Sequence, residues 1–127
     1  MKIRAFNARI EIDEGLIAES EKEIRRQTNQ YLEGEREAFD LNIFFPDSFT
    51  GKVMKRMNKI PYGQTKSYGD IAEKLDSAAI AVGQNCGRNP LPIIIPCHRV
   101  VGKDSLGGYS LGLGLKRKFL NLEGVDF

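Results

Sequence analysis

The organisation of this chain depends on the stretch Asn89-Pro90-Leu91-Pro92-Ile93-Ile94-Ile95-Pro96-Cys97-His98-Arg99-Val100-Val101. Its prolines restrict the backbone and remove amide donors, so we expect a stiff, apolar connector instead of a regular helix or strand. The connector places Cys97 next to His98. A cysteine is nucleophilic only as the thiolate, which a nearby base or positive charge favours. Cys97 is therefore the first candidate for a reactive residue, although a single cysteine after an apolar run is more often an inert part of the core.

Upstream of the connector, the sequence predicts two short helices joined by a tight turn. Ser67 and Asp70 have the spacing of a capping box, which predicts a helix that ends near Leu75. Ser77 can cap a second helix over residues 78–86. A pair of this kind is typical of a helix-turn-helix, but such pairs also occur in many proteins that never contact DNA. The other helices predicted in this half of the chain cover residues 50–59 and 115–122.

The N-terminal part predicts a β-α-β piece. Residues 1–12 alternate loosely and predict one strand or the edge of a hairpin, residues 16–32 predict a helix, and residues 39–44 alternate like a second strand. So short a piece cannot bury a core of its own, and we expect it to pack on the rest of the chain. The predicted fold class is α/β (α+β).

Charge is distributed unevenly along the chain. Residues 1–50 carry 7 basic and 11 acidic residues, a net charge of −4, whereas residues 51–127 carry 12 and 6, a net charge of +6. This asymmetry favours a polyanionic partner for the second part, although uneven solvation of two surfaces explains it equally well. No apolar run approaches the roughly 18 residues of a membrane span, and no signal-peptide core follows Met1. We therefore expect a cytoplasmic protein that does not bind membranes.

The cysteine and histidine content argues against a disulfide or a zinc site. Cys86 and Cys97 lie in what we take to be a reducing compartment, where structural disulfides are rare. One histidine and no Cys-x-x-Cys pair leave too few ligands for zinc. We expect no metal and no cofactor, and we interpret Cys86 as a small packed hydrophobic residue.

The connector closely resembles the active-site stretch of the O6-alkylguanine-DNA alkyltransferases. The resemblance covers about residues 48–127 and includes, in the same order, Pro61-Tyr62-Gly63, Ser67-Tyr68-Gly69, Gly107-Gly108-Tyr109-Ser110 and Leu122-Glu123-Gly124. It implies direct-reversal DNA repair, in which a single-turnover methyltransferase moves an alkyl group from O6-alkylguanine in double-stranded DNA to Cys97. We expect a monomer with no obligate protein partner.

The resemblance also implies roles in the reaction. Cys97 resembles the alkyl acceptor, His98 the base that draws its proton through a water, and Glu123 the carboxylate that holds His98 in the useful tautomer. Asn89 resembles the hinge between the second helix and the active-site turn. Tyr68 resembles the tyrosine whose hydroxyl helps to neutralise the departing guanine.

Four more residues resemble those that form the pocket for the flipped base in the family. Pro92 and Tyr109 resemble walls of the alkyl pocket. The main-chain carbonyl of Val100 resembles the group that reads the guanine amino group. The main-chain amide of Ser110 resembles the donor to the guanine O6 atom.

The second helix departs from the family pattern. The target base must leave the helical stack before it can react. Relatives carry an arginine there that fills the space left by the flipped base, and this chain has Ile80 instead. We expect Ile80 to wedge into the stack by shape. The alternative is that Ile80 turns into the core and Arg88 supplies charge. The other predicted DNA contacts are Ala79, Gly83, Gln84 and Arg99.

The N-terminal part also departs from the pattern. Relatives usually carry a larger domain of ribonuclease-H-like shape before a helical, winged-helix-like domain. We therefore predict a reduced N-terminal domain over residues 1–47 and a DNA-binding and alkyl-acceptor domain over residues 48–127. One alternative function is an alkyltransferase-like protein that binds the lesion without transfer, but those relatives lack the acceptor cysteine that Cys97 provides. Another is a general cysteine hydrolase, which would need an oxyanion hole.

Overall fold

The chain begins with a β-hairpin and ends with a helix that closes the core. A computed structural model of the protein describes residues 1–126. Its strands are β1 (Lys2–Ala5), β2 (Ala8–Glu11), β3 (Lys66–Ser67) and β4 (Val100–Val101). Its helices are α1 (Glu21–Leu32), α2 (Phe49–Met57), α3 (Tyr68–Lys74), α4 (Ala79–Cys86) and α5 (Leu113–Leu122). The predicted α+β fold class is confirmed.

Strands β1 and β2 pair antiparallel through a two-residue turn. Phe6 and Asn7 have φ angles of 50° and 66°, and two residues in this left-handed region give a turn whose twist matches that of the strands. Ile3 and Ile10 lie opposite each other and are both buried. Of the two alternatives predicted for residues 1–12, the structure shows the hairpin.

Helix α1 begins later than predicted. Ser20 is its N-cap and accepts a hydrogen bond from the amide of Glu23, while a separate 3₁₀ turn covers Glu14–Leu16. Ile24 and Tyr31 lie on its buried face. Through Tyr31, this face contacts His98 and Glu123 in the second half of the chain.

The strand predicted over residues 39–44 is wrong. Within it, only Ile43 forms a bridge, with Ile17. Side chains hold the neighbouring backbone instead: Gln27 bonds both the amide (2.8 Å) and the carbonyl (3.0 Å) of Asp40, and Glu19 accepts from the amide of Asn42 at 2.7 Å. The N-terminal part is therefore β-β-α followed by an irregular segment, not β-α-β.

The predicted helix pair is present. Ser67 and Asp70 form the expected capping box at the start of α3. Ser77 does not cap α4, because the helix begins after Ala78, which is extended and makes no side-chain cap. The two helices pack on each other, and β3 pairs with β4 in parallel, which joins the start of α3 to the end of the connector.

Both halves share one hydrophobic core. It runs from Ile3 and Ile10 of the hairpin through Tyr31 of α1 to Ile95 of the connector and Phe119 of α5. The expectation that the N-terminal part packs on the rest of the chain is confirmed.

Within residues 1–126, no helix is both long enough and apolar enough to cross a bilayer.

Candidate active site

The connector is held by the side chain of Asn89. Its amide nitrogen donates to the carbonyl of Ile95 at 2.9 Å, and its oxygen accepts from the amide of Leu91 at 3.0 Å. Between these two points Ile93 is buried with a φ of 76°, a conformation that costs free energy for a β-branched side chain. Strained backbone of this kind persists where the surrounding structure enforces it, and it occurs often at functional sites.

Cys97, His98 and Arg99 form a buried 3₁₀ turn at the end of the connector. The Nε2 atom of His98 lies 2.6 Å from the Oε2 atom of Glu123, as predicted. A carboxylate only accepts hydrogen bonds, so Nε2 carries the proton and Nδ1 carries the lone pair. Nδ1 is buried and has no hydrogen-bond partner within residues 1–126. Burial lowers the pKa of His98, although Glu123 acts in the opposite direction, so the neutral imidazole is available as a base.

Arg99 does not face DNA, which corrects its predicted role. It is 7% exposed. Its Nε and Nη2 atoms donate to the two oxygens of Glu123 at 2.8 and 3.0 Å, and its Nη1 atom donates to the carbonyl of Ile60 at 2.7 Å. Every part of its guanidinium is therefore used inside the protein. The sequence predicted a DNA contact for Arg99 only because it is a basic residue.

Glu123 is the centre of this buried network. It also accepts from the amide of Gly63 at 3.1 Å and from the hydroxyl of Tyr31 at 2.5 Å. Burial by itself raises the pKa of Glu123, but the hydrogen bonds from His98, Arg99 and Tyr31 together outweigh it and lower the pKa to about 2. Glu123 is therefore ionised at neutral pH.

Sequence reasoning missed Tyr31. It lies in the helix predicted over residues 16–32, but nothing local predicts a partner 92 residues further along the chain.

Lys116 of α5 was also missed. It is fully buried, and its ammonium donates to the carbonyls of Val100 at 2.6 Å and Gly108 at 2.8 Å. Burial lowers the pKa of Lys116 to about 8. Lys116 lies in the helix predicted over residues 115–122, and a lysine in such a helix is normally exposed. The sequence therefore gave no sign that Lys116 is buried and binds these two carbonyls.

Cys97 is 5% exposed as a residue, and burial raises the pKa of its thiol. The side chains of Asn89 and Tyr109 lie beside the sulfur and, with the charge of Lys116, favour the thiolate and offset part of this effect. The Tyr109 hydroxyl is buried and forms no hydrogen bond with any other group of the described residues 1–126. Cys97 is thus a thiol at rest that needs a base to react.

A cavity of about 550 Å³ opens onto Cys97. One wall is α4, which contributes Ala79, Ile80, Gly83, Gln84 and Cys86. The lining also includes Tyr68, whose ring lies close to Gly83 of α4, and Cys97, Gly108, Tyr109 and Ser110. Eight of the predicted site residues therefore lie around one cavity: Tyr68, Ala79, Ile80, Gly83, Gln84, Cys97, Tyr109 and Ser110.

Other predicted residues lie elsewhere. Pro92 is buried and does not line this cavity, contrary to the prediction that it forms a wall. The carbonyl of Val100 is buried and already accepts from Lys116. Arg88 is exposed beyond the end of α4. Cys86, interpreted as a packed residue, is buried, and burial raises its pKa to about 12.

The mouth of the cavity is bounded by Ile80 and by the loop around Gly107. Ile80 is 75% exposed, so the alternative in which it turns into the core is wrong. The hydroxyl of Tyr68 donates to the carbonyl of Gly108 at 3.1 Å and accepts from its amide at 3.2 Å. Gly107 has a φ of 76°, and a Cβ atom there would lie 2.8 Å from the Tyr68 hydroxyl. Only glycine lets the loop approach the tyrosine this closely.

Among residues 1–126, no group of three or more histidine, cysteine or acidic side chains is placed to hold a metal ion. The chemistry available here is that of a buried thiol beside a neutral imidazole, at the end of a cavity.

Three comparisons match this chain to a known family. A sequence model described as "6-O-methylguanine DNA methyltransferase, DNA binding domain" matches residues 48–125. The methylated-DNA–protein-cysteine methyltransferase of Archaeoglobus fulgidus is 44% identical over 117 residues, which cover 84% of this chain and 77% of that protein. The protein of the same name from Methanocaldococcus vulcanius is 52% identical over 87 residues, but the match spans only 52% of its length.

Solved structures agree. The crystal structure of Mycobacterium tuberculosis OGT in complex with DNA superposes with a TM-score of 0.77 at 42% identity, covering 80% of this chain and 66% of that one. S. pombe Atl1, in complex with damaged DNA containing O6-carboxymethylguanine, is more distant, with a TM-score of 0.55 and 29% identity over 64% of this chain and 80% of that one. By the extent of the family match and the identity to its members, this chain belongs to the O6-methylguanine-DNA methyltransferase family.

Proposed function

We propose that this protein is a methylated-DNA–protein-cysteine methyltransferase that repairs O6-alkylguanine in double-stranded DNA by transferring the alkyl group to Cys97. The observation that carries the proposal is the thiol of Cys97 at the end of a 550 Å³ cavity, followed directly by a buried histidine whose Nδ1 atom is free to accept a proton. Relatives and structural neighbours that carry this name, or were solved with DNA, support it.

The reaction is an in-line displacement. His98 Nδ1 accepts the thiol proton of Cys97 through a water, and the sulfur attacks the alkyl carbon. A carbon–sulfur bond forms as the bond to O6 breaks, and its electron pair leaves on guanine, which takes up a proton. The product is a thioether, which has no easy leaving path, so each molecule acts once and no cofactor is needed.

Local charge supports each stage. Glu123 keeps the proton on His98 Nε2, which leaves Nδ1 as the acceptor. The Lys116 ammonium favours the thiolate of Cys97. Tyr68 lines the cavity, and its hydroxyl can exchange its hydrogen bonds to the main chain of Gly108 for a hydrogen bond to the departing guanine. Tyr109 and the Ser110 amide would bound the base.

Helix α4 is the proposed DNA-binding element. Ala79, Gly83 and Gln84 line the cavity on this helix, and small side chains let a backbone come close. Ile80 projects from the rim and fills the stack left by the flipped base by shape, where relatives use an arginine. Arg88 lies beyond the helix and contacts phosphate.

Residues 1–47 and 48–127 would act as the two domains, and a DNA substrate implies an intracellular, cytoplasmic location.

Mass spectrometry tests the proposal. The protein is incubated with a duplex that carries one O6-methylguanine, and intact protein and peptides are then weighed. We expect one added methyl group on the peptide that contains Cys97, and none in Cys97→Ser.

The alternative of lesion binding without transfer gives a different result. An unmodified protein that binds the lesion duplex more tightly than undamaged duplex would refute transfer and establish a sensor. Repeated turnover of an ester substrate would instead indicate a hydrolase.

A further inference from the structure

The reaction centre contains one group from the N-terminal part of the chain. Tyr31 lies on α1 and is fully buried. Its hydroxyl lies 2.5 Å from Glu123 Oε2 and 3.4 Å from His98 Nε2. Since Oε2 also lies 2.6 Å from Nε2, these three polar atoms form a closed triangle in a site without solvent access.

We propose that Tyr31 is a positioning residue for alkyl transfer: its hydroxyl locks Glu123 and thereby holds His98 in the tautomer that leaves Nδ1 free. The inference rests on the proposed function, because it assigns a role within that reaction. Tyr31 touches neither the thiol nor the substrate cavity, so it acts only through Glu123 and His98.

The hydrogen atoms in the triangle leave one arrangement. The Tyr31 hydroxyl has a single proton, and an ionised carboxylate can only accept, so that proton points to Oε2. The lone pairs of the hydroxyl then remain for Nε2. With the proton on Nδ1, three sets of lone pairs would face one another in a buried site, which is strongly unfavourable. With the proton on Nε2, every contact is attractive.

Tyr31 also limits how the carboxylate can turn. Arg99 donates to both oxygens of Glu123 and draws Oε2 toward itself, and among the described residues Tyr31 and His98 are the two donors that oppose this pull. The short bond from Tyr31 holds Oε2 beside His98. Burial raises the pKa of Tyr31, so the hydroxyl remains a donor throughout the working pH range.

The test compares Tyr31→Phe with Tyr62→Phe. The Tyr62 ring packs edge-on against Tyr31 at 6.1 Å, but its hydroxyl donates to the carbonyl of Leu122 at 3.1 Å and does not bind the Glu123 carboxylate. Both changes remove one hydroxyl from neighbouring rings. In single-turnover assays with an O6-methylguanine duplex, we expect Tyr31→Phe to transfer about tenfold more slowly. The yield should remain one methyl group per molecule, and Tyr62→Phe should match the wild type in both rate and yield.

A second readout does not require activity. His98 is the single histidine in the chain, so ¹⁵N-histidine labelling reports on it alone by NMR. We expect the wild type and Tyr62→Phe to show only the form protonated on Nε2, and Tyr31→Phe to show in addition the form protonated on Nδ1. A simple packing defect would lower the yield of active protein and would leave the tautomer of the folded fraction unchanged.

The outcomes separate this inference from the proposed function. Wild-type rate and an unchanged histidine spectrum in Tyr31→Phe overturn the inference, as do equal effects in Tyr62→Phe. A wild type that never methylates Cys97 refutes the proposed function, and the transfer role of Tyr31 fails with it. If Tyr31→Phe does not fold, the wild-type spectrum decides: a slowly exchanging Tyr31 hydroxyl proton close to the His98 Nε2 proton supports the inference, and its absence overturns it.

Discussion

Replacing Glu123 by glutamine removes the one negative charge at the centre of the buried network. Among residues 1–126, the carboxylate accepts from His98, from Arg99 twice, from Tyr31 and from Gly63. In Glu123→Gln, the amide nitrogen must face either Gly63 and Arg99 or the His98 side. In either orientation the N–H groups of the new amide face N–H donors of the protein, and the guanidinium of Arg99 is left buried without its counterion.

The size of the effect follows from two independent arguments. Removing one partner of a buried ion pair costs about 3–5 kcal/mol. The pKa of Glu123 is lowered from 4.5 to about 2, and at about 1.4 kcal/mol per unit this shift corresponds to about 3 kcal/mol of folding free energy. We therefore expect Glu123→Gln to lower the free energy of unfolding at pH 7 by about 3 kcal/mol or somewhat more.

The sign of the pH dependence gives a second check. Because the pKa of Glu123 is lower in the folded than in the unfolded state, its contribution is complete above pH 4.5 and is lost as the pH falls toward 2. The difference between wild type and Glu123→Gln should therefore shrink in that interval.

Urea unfolding at pH 7 and at steps between pH 4.5 and 2 measures both effects, with the exposed Glu35→Gln as a control for loss of one carboxylate. A loss below about 1 kcal/mol at pH 7, or one that persists undiminished in acid, would refute this account of the network.

Three shorter predictions concern individual positions. Ile80→Ala should slow repair in duplex DNA by about 10- to 100-fold, because a wedge worth about 1.5–3 kcal/mol is lost, but should not slow reaction with the free O6-methylguanine base; equal duplex rates in single-turnover assays would refute the wedge role of Ile80. Gly107→Ala should reduce the transfer rate by tenfold or more, since a Cβ atom would lie 2.8 Å from the Tyr68 hydroxyl, and should lower the free energy of unfolding by about 1 kcal/mol or more, since alanine is strained at a φ of 76°; wild-type kinetics would contradict this contact. Gly51→Ala should lower the free energy of unfolding by about 2–3 kcal/mol, because its Cβ would meet the Pro46 carbonyl oxygen at 1.8 Å; a urea midpoint like that of wild type would show that this packing is not tight.

The sequence by itself determined what depends on near neighbours. The capping box of Ser67 and Asp70 requires two residues three apart, and the helix it begins is present. The irregular connector follows from its prolines, because they remove donors whatever the rest of the chain does. The family could be recognised from several short motifs around Cys97, since each consists of consecutive residues. The His98–Glu123 pairing came from that resemblance, and the structure contains it.

The tertiary structure decided what depends on distant partners. Arg99, predicted for DNA, turns inward because Glu123 and the carbonyl of Ile60 meet its guanidinium, and neither is near it in sequence. The alternating residues 39–44 predicted a strand, but the side chain of Gln27 binds the backbone of Asp40, and pairing with the rest of the chain is limited to one bridge between Ile43 and Ile17. Tyr31 looked like an ordinary core residue until the packing of α1 brought it to Glu123. Spacing along a chain predicts which face of a helix is buried, whereas the group that this face meets is determined only when the helices pack.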